Sequence, residues 1–79
     1  MKVKIQFFGM IAEAVGTSSL DMQTDGIKTI GELEKMLIRK FPDIENFTYQ
    51  IAMNQQIVSG TNALSSGSEV AILPPFAGG

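Results

Sequence analysis

The chain contains no cysteine and no histidine. Without cysteine it has no disulfide framework, no thiol nucleophile and no thiolate metal site. A cytoplasmic location is the expectation for such a chain. Without histidine it lacks the usual general base, the usual metal ligand and every Ser-His-Asp arrangement. Its acidic residues, Glu13, Asp21, Asp25, Glu32, Glu34, Asp43, Glu45 and Glu69, are scattered along the sequence. Glu32 and Glu34 stand two apart on a predicted helix and so point to different faces. No metal site is expected. There is no basic run, and aromatic residues make up only 8% of the chain, which argues against nucleic-acid binding. No apolar run approaches the ~20 residues of a membrane span. Lys2 and Lys4 alternate with apolar residues rather than preceding an apolar block, so the first residues do not form a secretory signal. No glycine-rich loop has phosphate-binding spacing. A self-sufficient enzyme is hard to build from this inventory.

What is present describes a small folded domain. The 79 residues are 44% hydrophobic and 18% charged with a net charge of −2, a composition that folds around one core rather than staying disordered. Lys2 to Phe8 alternates, with Val3, Ile5 and Phe7 on one face and Lys2, Lys4, Gln6 and Phe8 on the other; this is a half-buried strand. Met10 to Val15 predicts one helical turn between Gly9 and Gly16. Thr17 to Thr24 predicts a second strand, and Asp25-Gly26 a turn.

Thr29 opens the clearest helix. Thr29-Ile30-Gly31-Glu32 has capping-box spacing, in which the threonine hydroxyl and the glutamate carboxylate satisfy N–H groups that the first turn leaves open. Ile30, Leu33, Leu37 and Phe41 share one stripe with Met36 beside it, and Pro42 ends the helix. Asp43 to Thr48 reads as a loop. Tyr49 to Met53 and Gln56 to Ser59 read as strands joined by a tight turn at Asn54-Gln55. A polar loop from Gly60 to Ser68, pinned by Ala63 and Leu64, leads to the last strand, Glu69 to Leu73. In that strand Val70 and Ile72 face the core, while Ala71 and Leu73 face away. The order β-β-α-β-β-β, with strong strands at both ends, predicts an α+β fold of the β-grasp, ubiquitin-like kind. Its mixed sheet has about five strands with one main helix packed on one face. Residues 1–73 form the domain and residues 74–79 an extended, flexible tail. Phe8, Ile57 and Leu73 fall on the open face of that sheet, an apolar patch of the type that partners cover.

The tail reads Pro74-Pro75-Phe76-Ala77-Gly78-Gly79. Gly78 and Gly79 carry no side chain, so an extended segment can enter a slot too narrow for a Cβ. The expected working group is the terminal carboxylate itself. The competing reading is a frayed end without function.

Taken in order, Phe7-Phe8-Gly9, Ile11-Ala12-Glu13-Ala14-Val15-Gly16, Thr29-Ile30-Gly31-Glu32-Leu33, Ala52-Met53-Asn54-Gln55, Gly67-Ser68-Glu69-Val70-Ala71 and the tail give the chain a familiar outline. It resembles the MoaD type of the MoaD/ThiS sulfur-carrier family, the small subunits of molybdopterin synthase. Ser68, where the family often has aspartate, and Met53, where valine is common, are small departures; Ser68 is expected in a turn away from the chemistry.

The resemblance implies that the fold itself does no side-chain catalysis. It implies that an adenylyltransferase of the ubiquitin-activating type uses ATP to convert the Gly79 carboxylate to a glycyl adenylate. A sulfur donor then leaves a thiocarboxylate, 1-thioglycine, at that residue. It also implies a large subunit that receives the tail, a heterotetramer of two small and two large subunits, and sulfur transfer to cyclic pyranopterin monophosphate. No bound cofactor is implied. Residue by residue, Gly79 carries the acyl group, Gly78 and Ala77 permit narrow insertion, Phe76 anchors at the pocket mouth, and Pro74 and Pro75 project the arm stiffly. Phe8, Ile57 and Leu73 form the partner face. A carrier for thiamine or another pathway, a ubiquitin-like protein modifier and a binding module with an inert tail share much of this outline.

Overall fold

The computed structural model describes residues 2–65 and 67–74. Strand β1 is Lys2–Phe7, helix α1 Gly9–Val15, strand β2 Ser19–Gln23 and helix α2 Ile30–Lys40. A 3-10 helix, Pro42–Asn46, precedes strands β3 (Gln50–Met53), β4 (Gln56–Val58) and β5 (Glu69–Leu73). The strands form one sheet in the order β2-β1-β5-β3-β4. β1 and β5 run parallel at its centre, and the other pairs are antiparallel. This is the β-grasp arrangement that the sequence predicts.

The period-two pattern settles which way each strand faces. Val3, Ile5 and Phe7 of β1 and Val70 and Ile72 of β5 are buried, joined from β2 and β3 by Met22 and Ile51. Against this face α2 presents Ile30, Leu33 and Leu37, also buried. Phe41, read as the last position of the helical stripe, is instead the residue that caps α2. Its φ of −131° and ψ of 78° leave the helix because Pro42 follows. Its ring still serves the core, meeting Phe7 edge-to-face with centroids 5.9 Å apart.

The start of α2 is more fully satisfied than the capping box requires. The Thr29 hydroxyl accepts the N–H of Glu32 at 3.2 Å. The Glu32 carboxylate accepts the N–H of Lys28 at 2.8 Å, one residue further out than the usual reciprocal bond. Two further open donors are taken by the polar loop. Ile30 N–H bonds the Asn62 carbonyl and Gly31 N–H the Gly60 carbonyl, both at 2.9 Å. Glycine at position 31 suits this contact, because an added Cβ would press on the Gly60 oxygen at 3.0 Å and the loop would have to give by a few tenths of an ångström. As expected, Ala63 and Leu64 pin this loop: Ala63 bridges Thr29, and the buried Leu64 donates its N–H to the Lys28 carbonyl at 2.9 Å.

Several boundaries differ from the sequence reading. β1 stops at Phe7, and Phe8 becomes the residue that opens α1. α1 runs for seven residues rather than a single turn, because Ile11 is buried and Gly16, in the left-handed region at φ 92°, closes it by donating to the Ala12 carbonyl. β2 is shorter than Thr17–Thr24, since the Thr17 hydroxyl turns back onto the Ser19 backbone. β3 and β4 are each shorter by one residue than predicted. The segment read as a loop after α2 contains the 3-10 helix, with Pro42 in its first turn and Ile44 only 2% exposed. Ser68 lies beside the turn at Gly67, as expected, but it is buried, and its hydroxyl has no hydrogen-bond partner among the described residues.

Two predictions follow from this packing. Leu37→Ala leaves a core cavity and lowers unfolding free energy in urea by about 2–5 kcal/mol, whereas Thr29→Ala, which loses only the cap, costs about 1 kcal/mol. The second concerns Tyr49, whose hydroxyl donates to the Glu34 carboxylate on α2. Burial first, then that bond and the charges of Glu34 and Glu45, raise the phenol above its ordinary value of 10.0. The folded state therefore holds this proton at a pH where the unfolded chain releases it. The stabilisation is complete below the unfolded value and declines as pH rises through it toward the folded value. Tyr49 is the only tyrosine, so its phenolate absorbance reports it alone. The expected result is late ionisation in the native protein, with Tyr49→Phe flattening part of the alkaline loss of stability.

Candidate functional site

The face of the sheet away from α2 carries the alternate residue of each strand. Register places Ser19, Gln6, Ala71, Ala52 and Ile57 in one row across all five strands. Alanines at the two central places keep the floor low, and larger residues stand around it. The result is a shallow groove of ≈ 470 Å³, and Phe8, Ile57 and Leu73 all line it. The three residues singled out from strand parity are thus brought together. Phe8 is 43% and Ile57 59% exposed, while Leu73 is half-buried. Large apolar side chains left this open to water mark a surface suited to a partner.

The groove has a polar end. Asn54 and Gln55 form the turn between β3 and β4 with φ of 52° and 73°, the left-handed pair that a two-residue hairpin needs. Asn54 also clamps the start of β5: its side-chain oxygen accepts the Glu69 N–H at 3.1 Å, and its own N–H donates to the Glu69 carbonyl at 2.9 Å. Gln6 lines the groove from β1 in the row of Ala71 and Ala52, and Glu69 completes the polar end. Next to it the open face carries Asp21, Lys4 and Glu69 at paired positions on β2, β1 and β5, an alternation of charge across neighbouring strands.

At the apolar end β5 leaves the sheet. Pro74 is exposed and stands close to Gly9, where an added Cβ would lie 3.7 Å from the proline Cγ. Gly9 has a φ of 59°, a conformation that favours glycine, and it turns the chain from β1 into α1 at this point. The groove and the root of the tail are therefore adjacent. Pro75, Phe76, Ala77, Gly78 and Gly79 lie outside the described residues.

Sequence reasoning missed Met10, which is 69% exposed at the start of α1, two residues from Phe8. Its apolar character was visible, but its outward direction depends on the phase of a helix too short to show one. Ala52 and Gln6 were also left out of the patch, although strand parity together with the pairing order would have placed them. Among the described residues no group of three or more His, Cys, Asp or Glu side chains could hold a metal ion. Likewise, among those residues, no helix is long and apolar enough to cross a membrane.

Because Phe8 and Ile57 contribute little to the core, Phe8→Ser together with Ile57→Ser is expected to change unfolding free energy by about 0.5 kcal/mol each or less. Denaturant unfolding checks this; a loss on the scale of a core cavity would show the groove to be part of the packing instead.

A family model described as the ThiS family matches residues 5–79. The molybdopterin synthase sulfur carrier subunit of Mycobacterium tuberculosis is 32% identical over 82 aligned positions, covering 100% of this chain and 99% of that protein. Among solved structures, SAMP1 from Haloferax volcanii superposes with a TM-score of 0.84 at 24% identity, covering 100% of both chains. A complex of subunits 1 and 2 of the molybdopterin-converting factor from Helicobacter pylori contains a chain that superposes with a TM-score of 0.70 at 24% identity, again covering 100% of both. At these identities the two structures speak for the fold. The family match and the full-length relative speak for descent, and the chain belongs to the ThiS family.

Proposed function

We propose that this protein is a sulfur carrier and acts as the small subunit of molybdopterin synthase. The observation that carries the reading is the placing of an exposed apolar groove directly beside Pro74, where the sheet hands over to a Gly-Gly segment. Full-length likeness to a molybdopterin synthase sulfur carrier subunit supports the same pathway.

In this reading the working atoms are those of the Gly79 carboxylate. A carboxylate is a poor electrophile, and its activation needs a better leaving group. A carboxylate oxygen attacks the α-phosphorus of ATP on an adenylyltransferase, pyrophosphate leaves, and the glycyl adenylate forms. A sulfide-level donor then attacks the carbonyl carbon through its sulfur, AMP departs with the bonding oxygen, and loss of the sulfur-bound proton leaves the thiocarboxylate. The large subunit receives the tail, and the sulfur passes to cyclic pyranopterin monophosphate. Two sulfurs per dithiolene call for two carriers, which fits an assembly of two small and two large subunits.

Each part of the chain has a physical task in that sequence. Gly78 and Gly79 keep the approach narrow. Pro74 and Pro75 limit the conformational freedom lost on insertion. The Phe8–Ile57–Leu73 groove supplies desolvated apolar area that holds the carrier while the tail reaches the reacting site. The reaction then requires no general base on this chain, in keeping with the lack of histidine and cysteine.

Intact mass after incubation with ATP, the matched adenylyltransferase and a sulfur donor tests the reading. The expected shift is one oxygen replaced by one sulfur, mapped to Gly79. Gly79→Val abolishes it without changing the fold, and normal sulfur loading of that variant would falsify the assignment. Phe8→Ser with Ile57→Ser is expected to weaken co-purification of the large subunit by about tenfold or more. Lysine-linked adducts in place of the sulfur shift would move the reading to a protein modifier.

A further inference from the structure

The sheet has a second groove, on its other face and at its opposite edge. It is ≈ 480 Å³ in volume and runs between β2 and the C-terminal half of α2. Leu20, Met22 and Met36 give it an apolar floor, and Arg39 and Lys40 stand along its helix side. Leu20 and Met36 are half-buried, and both basic residues are exposed.

The backbone beside this groove is unpaired in a defined way. Phe7 N–H bonds the Ser18 carbonyl at 2.9 Å. With the register Lys4↔Asp21 and Ile5↔Leu20, that bond directs the backbone groups of Leu20 and Met22 toward β1. The N–H and C=O groups of Ser19, Asp21 and Gln23 therefore point outward from the sheet edge. Ser19 is already engaged: its carbonyl accepts the Thr17 hydroxyl at 2.9 Å, and its N–H meets the same oxygen at 3.4 Å. Asp21 and Gln23 are left to offer two donors and two acceptors at strand spacing.

We infer that the β2 edge binds an extended, acidic peptide segment of a partner protein by strand addition. The segment pairs with the outward N–H and C=O groups of Asp21 and Gln23. Its alternate apolar side chains rest on Leu20, Met22 and Met36, and a carboxylate run at one end meets Arg39 and Lys40. The occupant's charge follows from the groove. Arg39 and Lys40 form no ion pair among the described residues, and the lone carboxylate of the lining, Asp21, has the parity of the opposite face. Lys40 also lies over the Phe41 ring, 5.9 Å from its centroid, but neither cation is neutralised by an ion pair among those residues, so an acidic segment is favoured over a basic one.

This site is independent of the tail and of its chemistry. β2 and β4 are the two outer strands of a five-stranded sheet, so at about 4.8 Å per strand the edge lies roughly 20 Å from Ile57. A partner held there leaves the groove at the tail root open. Only two residues pair, so the contact is weak and exchanges quickly, a character suited to a carrier that passes between proteins.

The test uses the full chain, isotopically labelled, titrated by two-dimensional NMR with a blocked peptide of alternating valine and threonine that closes on a run of aspartates. A matched peptide closing on lysines is the control. The expected result is saturable shifts at Asp21, Gln23, Met36, Arg39 and Lys40, with slowed hydrogen exchange of the Asp21 and Gln23 amides. The lysine peptide gives no such shifts. Arg39→Gln with Lys40→Gln, which keeps both side chains long and helix-compatible, weakens binding by about tenfold and leaves the remaining spectrum folded. Shifts centred on Ala71 and Ile57, equal binding of the lysine peptide, or no saturable shift in the wild-type spectrum would each overturn the inference.

Discussion

The parallel pairing of β1 with β5 is the constraint on which the rest of this structure depends. Two parallel strands cannot be joined by a tight turn, so everything between Phe7 and Glu69 serves as their connection. Both strands sit at the centre of the sheet, and their inward residues, Val3, Ile5, Phe7, Val70 and Ile72, are almost completely excluded from water. Burial of this kind is the main favourable contribution available to so short a chain. Pairing them in the same direction also brings their exits together. β1 leaves the sheet at Phe8 and Gly9, and β5 leaves it at Pro74, beside Gly9. The closeness of the apolar groove to the tail root is a consequence of strand direction, not of any local feature of the tail.

A long connection between parallel strands carries a closure cost, and here it is held down by the meeting of α2 with the loop before β5. The loop supplies carbonyls from Gly60 and Asn62 to the first N–H groups of α2, and the helix side returns the Lys28 carbonyl to Leu64. These are the donors that a helix cannot satisfy within itself. The contact is close enough that a Cβ added at Gly31 would crowd the Gly60 carbonyl at 3.0 Å. The segment that reads as the least structured part of the sequence therefore fixes the position of the main helix over the sheet.

Much of this was legible because it is written in short periods. Alternation identified the strands and their faces, capping-box spacing identified Thr29 as the start of α2, and parity placed Phe8, Ile57 and Leu73 on one side. What escaped was set by tertiary contact. Ile44 is a single apolar residue among polar neighbours, with no period to announce the 3-10 helix that buries it. Phe41 fits the helical stripe by spacing, but the constraint from Pro42 overrides it locally while its ring remains in the core. Ser68 sits where a turn is expected, yet the chain folds over it and buries a hydroxyl that local reasoning leaves in water. The concavity of the groove depends on which residues of β3 and β5 stand opposite each other. Ala52 and Ala71 become its floor only once the register is known.

The two edges of the sheet show how an open β-structure of this size can remain selective about its partners. Exposed edge backbone invites indiscriminate pairing. β4 limits this by being three residues long, so that within its hairpin register only Ile57 turns its backbone groups outward. β2 limits it with a side chain, since the Thr17 hydroxyl occupies both backbone groups of Ser19. The outward groups left on each edge border a groove of different chemistry, apolar with a polar end on one side and apolar with a basic wall on the other. A chain with so little catalytic inventory can still specify several encounters, because its sheet has two faces and two edges and each presents a different surface. Selectivity then resides in which strand lies outermost and which residues its parity turns toward each groove, and both are fixed by the same central pairing that brings the exits of β1 and β5 together.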